Sequence, residues 1–136
     1  MASELKVDKF TGVTTAGSID VVGEGNSTTT NLQQGLTKQF VAYQSSSSTV
    51  VLNSQSFNTS SLTDNGTGDT IFTLTNNMSQ TRYVIPDSGG DDNAGYSTWC
   101  VDGNMTTALY RYTTGDANFS TQDTAFHSCS AIGDLA

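Results

Sequence analysis

Two short segments of this sequence carry residues that could hold an ion or perform catalysis. The first is the loop "PDSGGDDNAG", which places Asp87, Asp91, Asp92 and Asn93 within seven residues. Carboxylate and amide oxygens are the ligands that Ca²⁺ prefers, but the loop lacks the alternate-residue spacing of an EF-hand. We therefore expect a solvated loop, with a weak calcium site or a receptor site as the alternative.

The second segment is "FHSCS", in which His127 lies two residues before Cys129. In a strand the two side chains share a face, so they could form a nucleophile and its base or half of a zinc site. No orienting third group and no further pair of metal ligands can be identified from the sequence. We therefore predict no catalytic residue, no bound metal ion and no cofactor, and we expect a protein that is not an enzyme.

Aromatic residues are concentrated in "WCVDG" and "LYRY", which contain Trp99, Tyr110 and Tyr112. Such rings could stack on a sugar, or they could cover the core or a subunit interface. The core or an interface is favoured because aromatic side chains dominate both kinds of packing.

Short strands must position these groups. Hydrophobic residues make up 35% of the 136 residues and charged residues only 13%, while Gly is frequent and Pro86 is the only proline. This composition favours pleated structure. Short runs spaced as in a sandwich follow Phe40: "QFVAYQ", "STVVLN", "QSFNTSS", "DTIFTLT", "TRYVI", "YSTWCV", "TALYRYT" and "TAFHSCSAI". The sequence predicts an all-β fold, a small antiparallel β-sandwich or barrel-like domain preceded by an extended N-terminal arm.

The clearest pattern is a hairpin within residues 56–85. Phe57 and Leu62 precede the turn "DNGTGD", and Phe72 and Leu74 follow it. Period-two alternation places these four residues on one face and Thr59, Thr73 and Thr75 on the other. The Asn and Gly residues of the turn supply positive-φ positions. We predict that this hairpin forms the core of the domain.

The N-terminal part of the chain contains two apolar alternations, Leu5 with Val7 and Ile19 with Val21. A hairpin of two such strands is marginal in water, so a partner chain should order it. The connector "GNSTTTNLQQGLTKQ" follows, either as coil or as one or two helical turns. We predict an attachment and oligomerisation arm with its linker over residues 1–38 and a β-rich distal domain over residues 39–136.

Charge and targeting signals restrict the partners. The net charge of −8 opposes binding to nucleic acid and to anionic membranes. The segment "MASELKVDKF" lacks the apolar core of a secretory signal and no run is long enough to span a bilayer, so we predict synthesis in the cytoplasm, no membrane insertion and no glycosylation. Cys100 and Cys129 allow one disulfide, but two buried thiols are favoured.

The stretches "SFNTSSLTDNGTGDTIFTLTNNMSQTRYV" and "TGVTTAGSIDVVGEGNSTTTNLQQGLTKQF" resemble segments of tail-fibre and related virion-surface proteins of tailed bacteriophages, particularly marine ones. The terminal "GDLA" is similar too. The resemblance covers residues 5–85 well and 86–130 poorly. It implies a structural role, a homotrimer, and an N-terminal arm that docks on other virion proteins while a β-rich domain faces the host. It transfers no catalytic residue.

The resulting prediction is a trimeric tail fibre or spike in the virion, made in the bacterial host cytoplasm and active in host adsorption. The alternative is a head fibre or decoration protein that stabilises the capsid. A glycan-cleaving enzyme is disfavoured because the acidic residues sit in turns beside Gly and Asn rather than as a carboxylate pair in a groove. Contact with a host surface glycan or protein is predicted between Pro86 and Asp123. The predicted receptor-binding residues are Asp91, Asp92, Asn93, Tyr96, Trp99 and Tyr110, and the predicted virion-attachment residues are Leu5, Val7, Ile19 and Val21.

Overall fold

The computed structural model describes residues 4–12, 19–22, 29–32, 35–46, 49–90 and 96–134. The strands in this part of the chain are β1 (Asp20–Val22), β2 (Thr29–Asn31), β3 (Thr37–Ser46), β4 (Thr49–Phe57), β5 (Thr59–Gly66), β6 (Asp69–Leu74), β7 (Asp87–Gly90), β8 (Tyr96–Cys100), β9 (Leu109–Asp116) and β10 (Phe126–Ile132). All their pairings are antiparallel, which confirms the all-β prediction. Within these residues no helix has the length and apolar character needed to cross a membrane.

The chain divides into two compact units, Met1–Gly35 and Leu36–Ala136. Because β3 begins at Thr37, the predicted boundary between residues 38 and 39 falls inside a strand rather than in a linker.

The first unit contains one two-stranded sheet, β1 with β2. Val21 pairs with Thr30, and the backbone N–H of Leu32 donates to the carbonyl of Ile19 at 2.8 Å. The predicted strand around Leu5 and Val7 is wrong, since residues 4–12 form no strand and both side chains are exposed. Val21 pairs with Thr30 of the connector, for which the sequence predicts coil or a helical turn instead of a strand.

The second unit is a β-sandwich of two four-stranded sheets. Sheet 1 has the order β4-β3-β10-β7 and sheet 2 the order β5-β6-β9-β8. Alternate residues of the central strands β3, β10, β6 and β9 point between the sheets, where Tyr43 meets Phe72 edge to face with 5.0 Å between ring centroids. Phe72 also stacks on Tyr110 at 4.8 Å. These aromatic contacts join the two sheets into one core.

The predicted hairpin supplies part of that core, and β3, β9 and β10 supply most of the rest. Phe72 and Leu74 are buried and Leu62 packs beside them, as the alternation predicted. Burying a phenylalanine side chain contributes about 1.5–3 kcal/mol. Phe57 departs from the prediction: it ends β4 in sheet 1 and is 51% exposed.

The cause is a corner at Asn58, which passes the chain from sheet 1 to sheet 2. Asn58 has φ 56°, a left-handed conformation that Asn tolerates better than most residues. Its Nδ2 donates to the carbonyls of Lys38 at 2.9 Å and Asn76 at 3.1 Å, and its Oδ1 accepts from the N–H of Asn76 at 2.6 Å. These hydrogen bonds satisfy the buried amide of Asn58. The bend places Phe57 in sheet 1 and Thr59 in sheet 2.

The turn between β5 and β6 depends on Gly68, which has φ 65°. A Cβ there would lie 2.5 Å from the carbonyl oxygen of Thr114 and 2.6 Å from that of Gln122. The N–H of Gly68 donates to Asp123 Oδ1 at 2.7 Å. Glycine therefore allows this turn to pack directly against the backbone of β9 and of the segment between β9 and β10.

Two other predictions need correction. The run "TRYVI" forms an isolated bridge from Val84 to Ile132 instead of a strand. Conversely, Asp87–Gly90, predicted as part of a solvated loop, is the edge strand β7 and pairs with β10. Gly is depleted in strands, so sequence preference gave no signal here, and pairing with β10 decided the outcome.

Candidate binding site on the outer face of the sandwich

Of the six residues predicted to bind a receptor, the structure describes the side chains of two, Trp99 and Tyr110. Asp91, Asp92 and Asn93 lie outside the described residues, as does the side chain of Tyr96, whose backbone begins β8 opposite Asp116. Tyr110 is buried in the core, so its predicted stacking on a receptor is wrong. Its hydroxyl donates to Gln39 Oε1 at 3.1 Å and lies 3.2 Å from Cys129 Sγ.

Trp99 lies on the outer face of sheet 2, where it pairs with Thr113 of β9. Its ring packs over Gly115: a Cβ on that glycine would lie 3.0 Å from Cη2 and 3.1 Å from Cζ3. The same Cβ would lie 2.7 Å from the carbonyl oxygen of Ser120. Because Gly115 has no side chain, the indole of Trp99 and the backbone of the following loop can both pack against it.

That following loop is held by the carboxylate of Asp116. Oδ1 accepts from the N–H groups of Asn118 at 2.8 Å and Ser120 at 2.9 Å. The hydrogen bonds from Ser120 and then Asn118 lower the pKa of Asp116. The N–H of Asp116 donates to the Ser120 carbonyl at 2.9 Å, and Ser97 Oγ donates to the Asp116 carbonyl at 2.6 Å. The loop is thus fixed at both ends.

The loop presents Phe119, a residue that the sequence prediction missed. Phe119 is 73% exposed and has φ 63°, a conformation that costs a bulky residue about 1–3 kcal/mol. Its ring centroid lies 6.3 Å from that of Trp99, with 56° between the ring planes. We call these two rings the aromatic cleft. The signal in the sequence was a single aromatic residue inside the turn-forming stretch "GDANFS".

The interior pair His127 and Cys129 lies at the centre of sheet 1, facing sheet 2. His127 is fully buried between the rings of Tyr43 and Tyr112, with Nε2 3.7 Å from Asp87 Oδ2. Burial lowers the pKa of His127, although Asp87 opposes the effect, and burial raises the pKa of Cys129 to about 12. A thiol with that pKa supplies no thiolate nucleophile at neutral pH.

Metal binding finds no support in the described part of the chain, where no group of three or more His, Cys, Asp or Glu side chains could hold an ion. Cys100 and Cys129 are both free thiols, one half-buried and the other buried. The favoured interpretation of two buried thiols therefore holds for Cys129, whereas Cys100 is only half-buried.

The outer face of sheet 1 has a different character. Phe40 stacks on Phe57 across the strand pair at 5.9 Å, and the face also exposes Val51 and Phe126. We call these four residues the sheet-1 face. A groove of about 440 Å³ lies beside Phe40, and its lining includes Ala42, Pro86, Ser88, Ser128 and Ser130.

No family model, curated protein or solved structure matches this chain.

Proposed function

We propose that the protein is a structural protein of a tailed-bacteriophage virion, a homotrimeric tail fibre or spike whose sandwich contacts the host surface. The resemblance of residues 5–85 supports the phage origin and the trimer. The structural observation that carries the proposal is the sheet-1 face, which leaves four large apolar side chains exposed on one side of a small domain. Exposed apolar patches of this kind mark association surfaces.

The occupant of that face is a second copy of the same chain. Symmetric assembly covers an apolar face and also protects the free edge strands of the sheets, β4 and β7 in sheet 1 and β5 and β8 in sheet 2. A closed ring of three copies presents identical host-contact sites together, and avidity then multiplies weak individual contacts.

The first unit is the proposed virion-attachment segment. The side chains of Leu5, Val7 and Val21 are exposed, and Ile19 is half-buried beside the short sheet of β1 and β2. Because so small a sheet is marginal on its own, contact with another virion protein would stabilise it. Deletion of residues 1–35 should preserve the β circular-dichroism spectrum but prevent entry into virions. Normal incorporation of the shortened chain would exclude this role.

The test of the whole proposal combines mass and location. Light scattering on the purified protein should report about three chains per particle. An antibody raised against residues 36–134 should label the tail in electron micrographs of virions. Labelling of the head would replace the fibre with the alternative decoration protein, and absence of the chain from virions would overturn both.

A further inference from the structure

The outer face of sheet 2 carries, besides the aromatic cleft, a fixed set of hydrogen-bonding groups. Arg111 Nε donates to Asp69 Oδ1 at 2.8 Å and to Oδ2 at 3.0 Å, and Nη2 also donates to Oδ2. Asn65 Nδ2 donates to the same Oδ2 at 2.8 Å. We call Asn65, Asp69 and Arg111 the polar array. The buried carboxylate holds the guanidinium and the amide in place, so the directions of these two more exposed groups are set before any ligand arrives.

The register of the strands places the polar array beside the aromatic cleft. Thr113 pairs with Trp99 on one side and with Asp69 on the other, so the three residues form one row across the sheet. Neighbouring strands lie about 4.8 Å apart, and Asp69 is therefore roughly 10 Å from Trp99 along this row. Thr113 is buried between them, so no exposed side chain of this row stands between Trp99 and Asp69.

The aromatic cleft is built at a cost to folding. Phe119 combines high exposure with a left-handed backbone, and the Asp116 hydrogen bonds hold it in that conformation. Asn or Gly would adopt the same backbone more easily. Strain that a surrounding network maintains on an exposed aromatic side chain is typical of ligand-contacting residues.

We propose that the aromatic cleft and the polar array form a binding site for a neutral saccharide, with one pyranose ring packed against Trp99 and Phe119. The two aromatic faces accept the C–H face of the sugar, and the partly exposed guanidinium of Arg111 and the exposed amide of Asn65 donate hydrogen bonds to its hydroxyls. This names the ligand class of the host contact proposed above and rests on that function for its biological setting.

Charge selects a neutral sugar over an acidic one. The chain carries a net charge of −8, and the guanidinium of Arg111 is already paired with Asp69. An anionic saccharide would therefore approach a protein of the same sign at a site with no uncompensated cation.

The single tryptophan makes the site directly observable, since Trp99 is the only one in the chain. The full chain is titrated with methyl glycosides of glucose, galactose, mannose and N-acetylglucosamine, and with sodium galacturonate as the charged comparison, each to about 100 mM because single-ring contacts fall in the millimolar range. At least one neutral glycoside should change the Trp99 emission saturably. Galacturonate should bind at least about tenfold more weakly.

Two matched variants locate the site. Phe119→Asn should weaken binding about tenfold or more while keeping the unfolding midpoint at or above that of the wild type, because Asn accepts the left-handed backbone. Phe126→Asn, which removes an exposed phenylalanine from the sheet-1 face, should leave binding unchanged. In saturation-transfer-difference NMR, Trp99→Leu should lose the sugar-proton signal that the wild type gives.

Failure takes three forms. Wild-type emission that responds to no neutral glycoside, or Phe119→Asn that binds like the wild type, would overturn the site. Equal binding of galacturonate would overturn the assignment to neutral sugars. The sugar titration uses the isolated chain, so it is independent of the virion experiment. If the chain binds sugar but is absent from virions, only the phage role is refuted. If the chain is present in virions but binds no sugar, only the binding site is refuted.

Discussion

The two outer faces of the sandwich are built on the same core and differ in what their cross-strand pairs contain. On sheet 1 the pairs are Phe40 with Phe57 and Gln44 with Val51, so an apolar side chain is left exposed in each. On sheet 2 the cross-strand row runs from Trp99 through Thr113 to Asp69, and Asp69 forms an ion pair with Arg111. An apolar face without fixed hydrogen-bond geometry suits association with another copy, whereas oriented polar groups beside rigid rings suit a small polar ligand.

The largest expected effect comes from the core that both faces share. Phe72→Ala removes a fully buried ring that contacts Tyr43 of sheet 1 and Tyr110 of sheet 2, and it should lower the free energy of unfolding by about 3–5 kcal/mol. Urea denaturation measures the loss. Thr73→Ala, the next residue on the opposite side of the same strand, is the control and should cost less than about 1 kcal/mol. Similar losses in the two variants would contradict the assignment of inner and outer faces.

A smaller effect should separate the sheet-2 face from an ordinary charged surface. The Asp69–Arg111 side chains are 12% and 30% exposed, whereas those of Asp102 and Arg82 are 69% and 77% exposed. Asp69→Asn should therefore destabilise the fold by about 1–3 kcal/mol, since it weakens a partly buried bidentate ion pair. The matched Asp102→Asn should change stability by less than about 0.5 kcal/mol, because exposed pairs contribute little. Thermal or urea unfolding of the two variants in parallel checks the difference.

Lowering the pH should destabilise the domain in two steps, the first set by a group in sheet 1 and the second by groups in sheet 2. Burial lowers the pKa of His127 in sheet 1 below its ordinary 6.5, so the unfolded chain binds the proton more readily than the folded one. Stability from this group is fully present above pH 6.5 and falls as the pH drops below it. The carboxylates of Asp69 and Asp116 in sheet 2 also have lowered pKa values, from an ordinary 3.8, and their contribution should fall only as the pH drops through about 4.

Urea denaturation at a series of pH values measures both steps. His127→Gln should remove the decline that begins near pH 6.5 and retain the one near pH 4. A wild-type protein whose stability is constant from pH 7.5 to 5 would contradict the neutral, buried state of His127.

The smallest effect on folding should accompany a large effect on assembly. Phe126→Asn alters an exposed side chain of the sheet-1 face, so it should change the unfolding free energy of the subunit by about 0.5 kcal/mol or less while weakening the trimer. Phe119→Asn makes the same substitution on the other face and should leave the oligomer intact. Light scattering over a dilution series compares the two variants. An exchange of these outcomes would reverse the assignment of the faces.

Much of the fold follows from local pattern. The alternation around Phe72 and Leu74 and the Asn and Gly residues between β5 and β6 predict the central hairpin, because a strand with one buried face must repeat every two residues. The runs that became β3, β4, β6, β8, β9 and β10 were recognised for the same reason. Errors arose where a neighbouring strand decided the outcome: β7 exists because β10 pairs with it, and among the described residues no strand pairs with the segment around Leu5 and Val7.

The sequence by itself therefore determined the fold class, the strand-rich second unit and the inward-facing residues Phe72 and Leu74 of its central hairpin. Only the tertiary structure placed Trp99 and Tyr110, both predicted to bind a receptor, on opposite sides of sheet 2. It also brought Asp69 to Arg111 and Phe119 to Trp99. These contacts join residues far apart in the chain or depend on the glycine beneath the Trp99 ring. Local periodicity carries no information about the order of the strands in a sheet or about the bend at Asn58, which passes the chain from one sheet to the other.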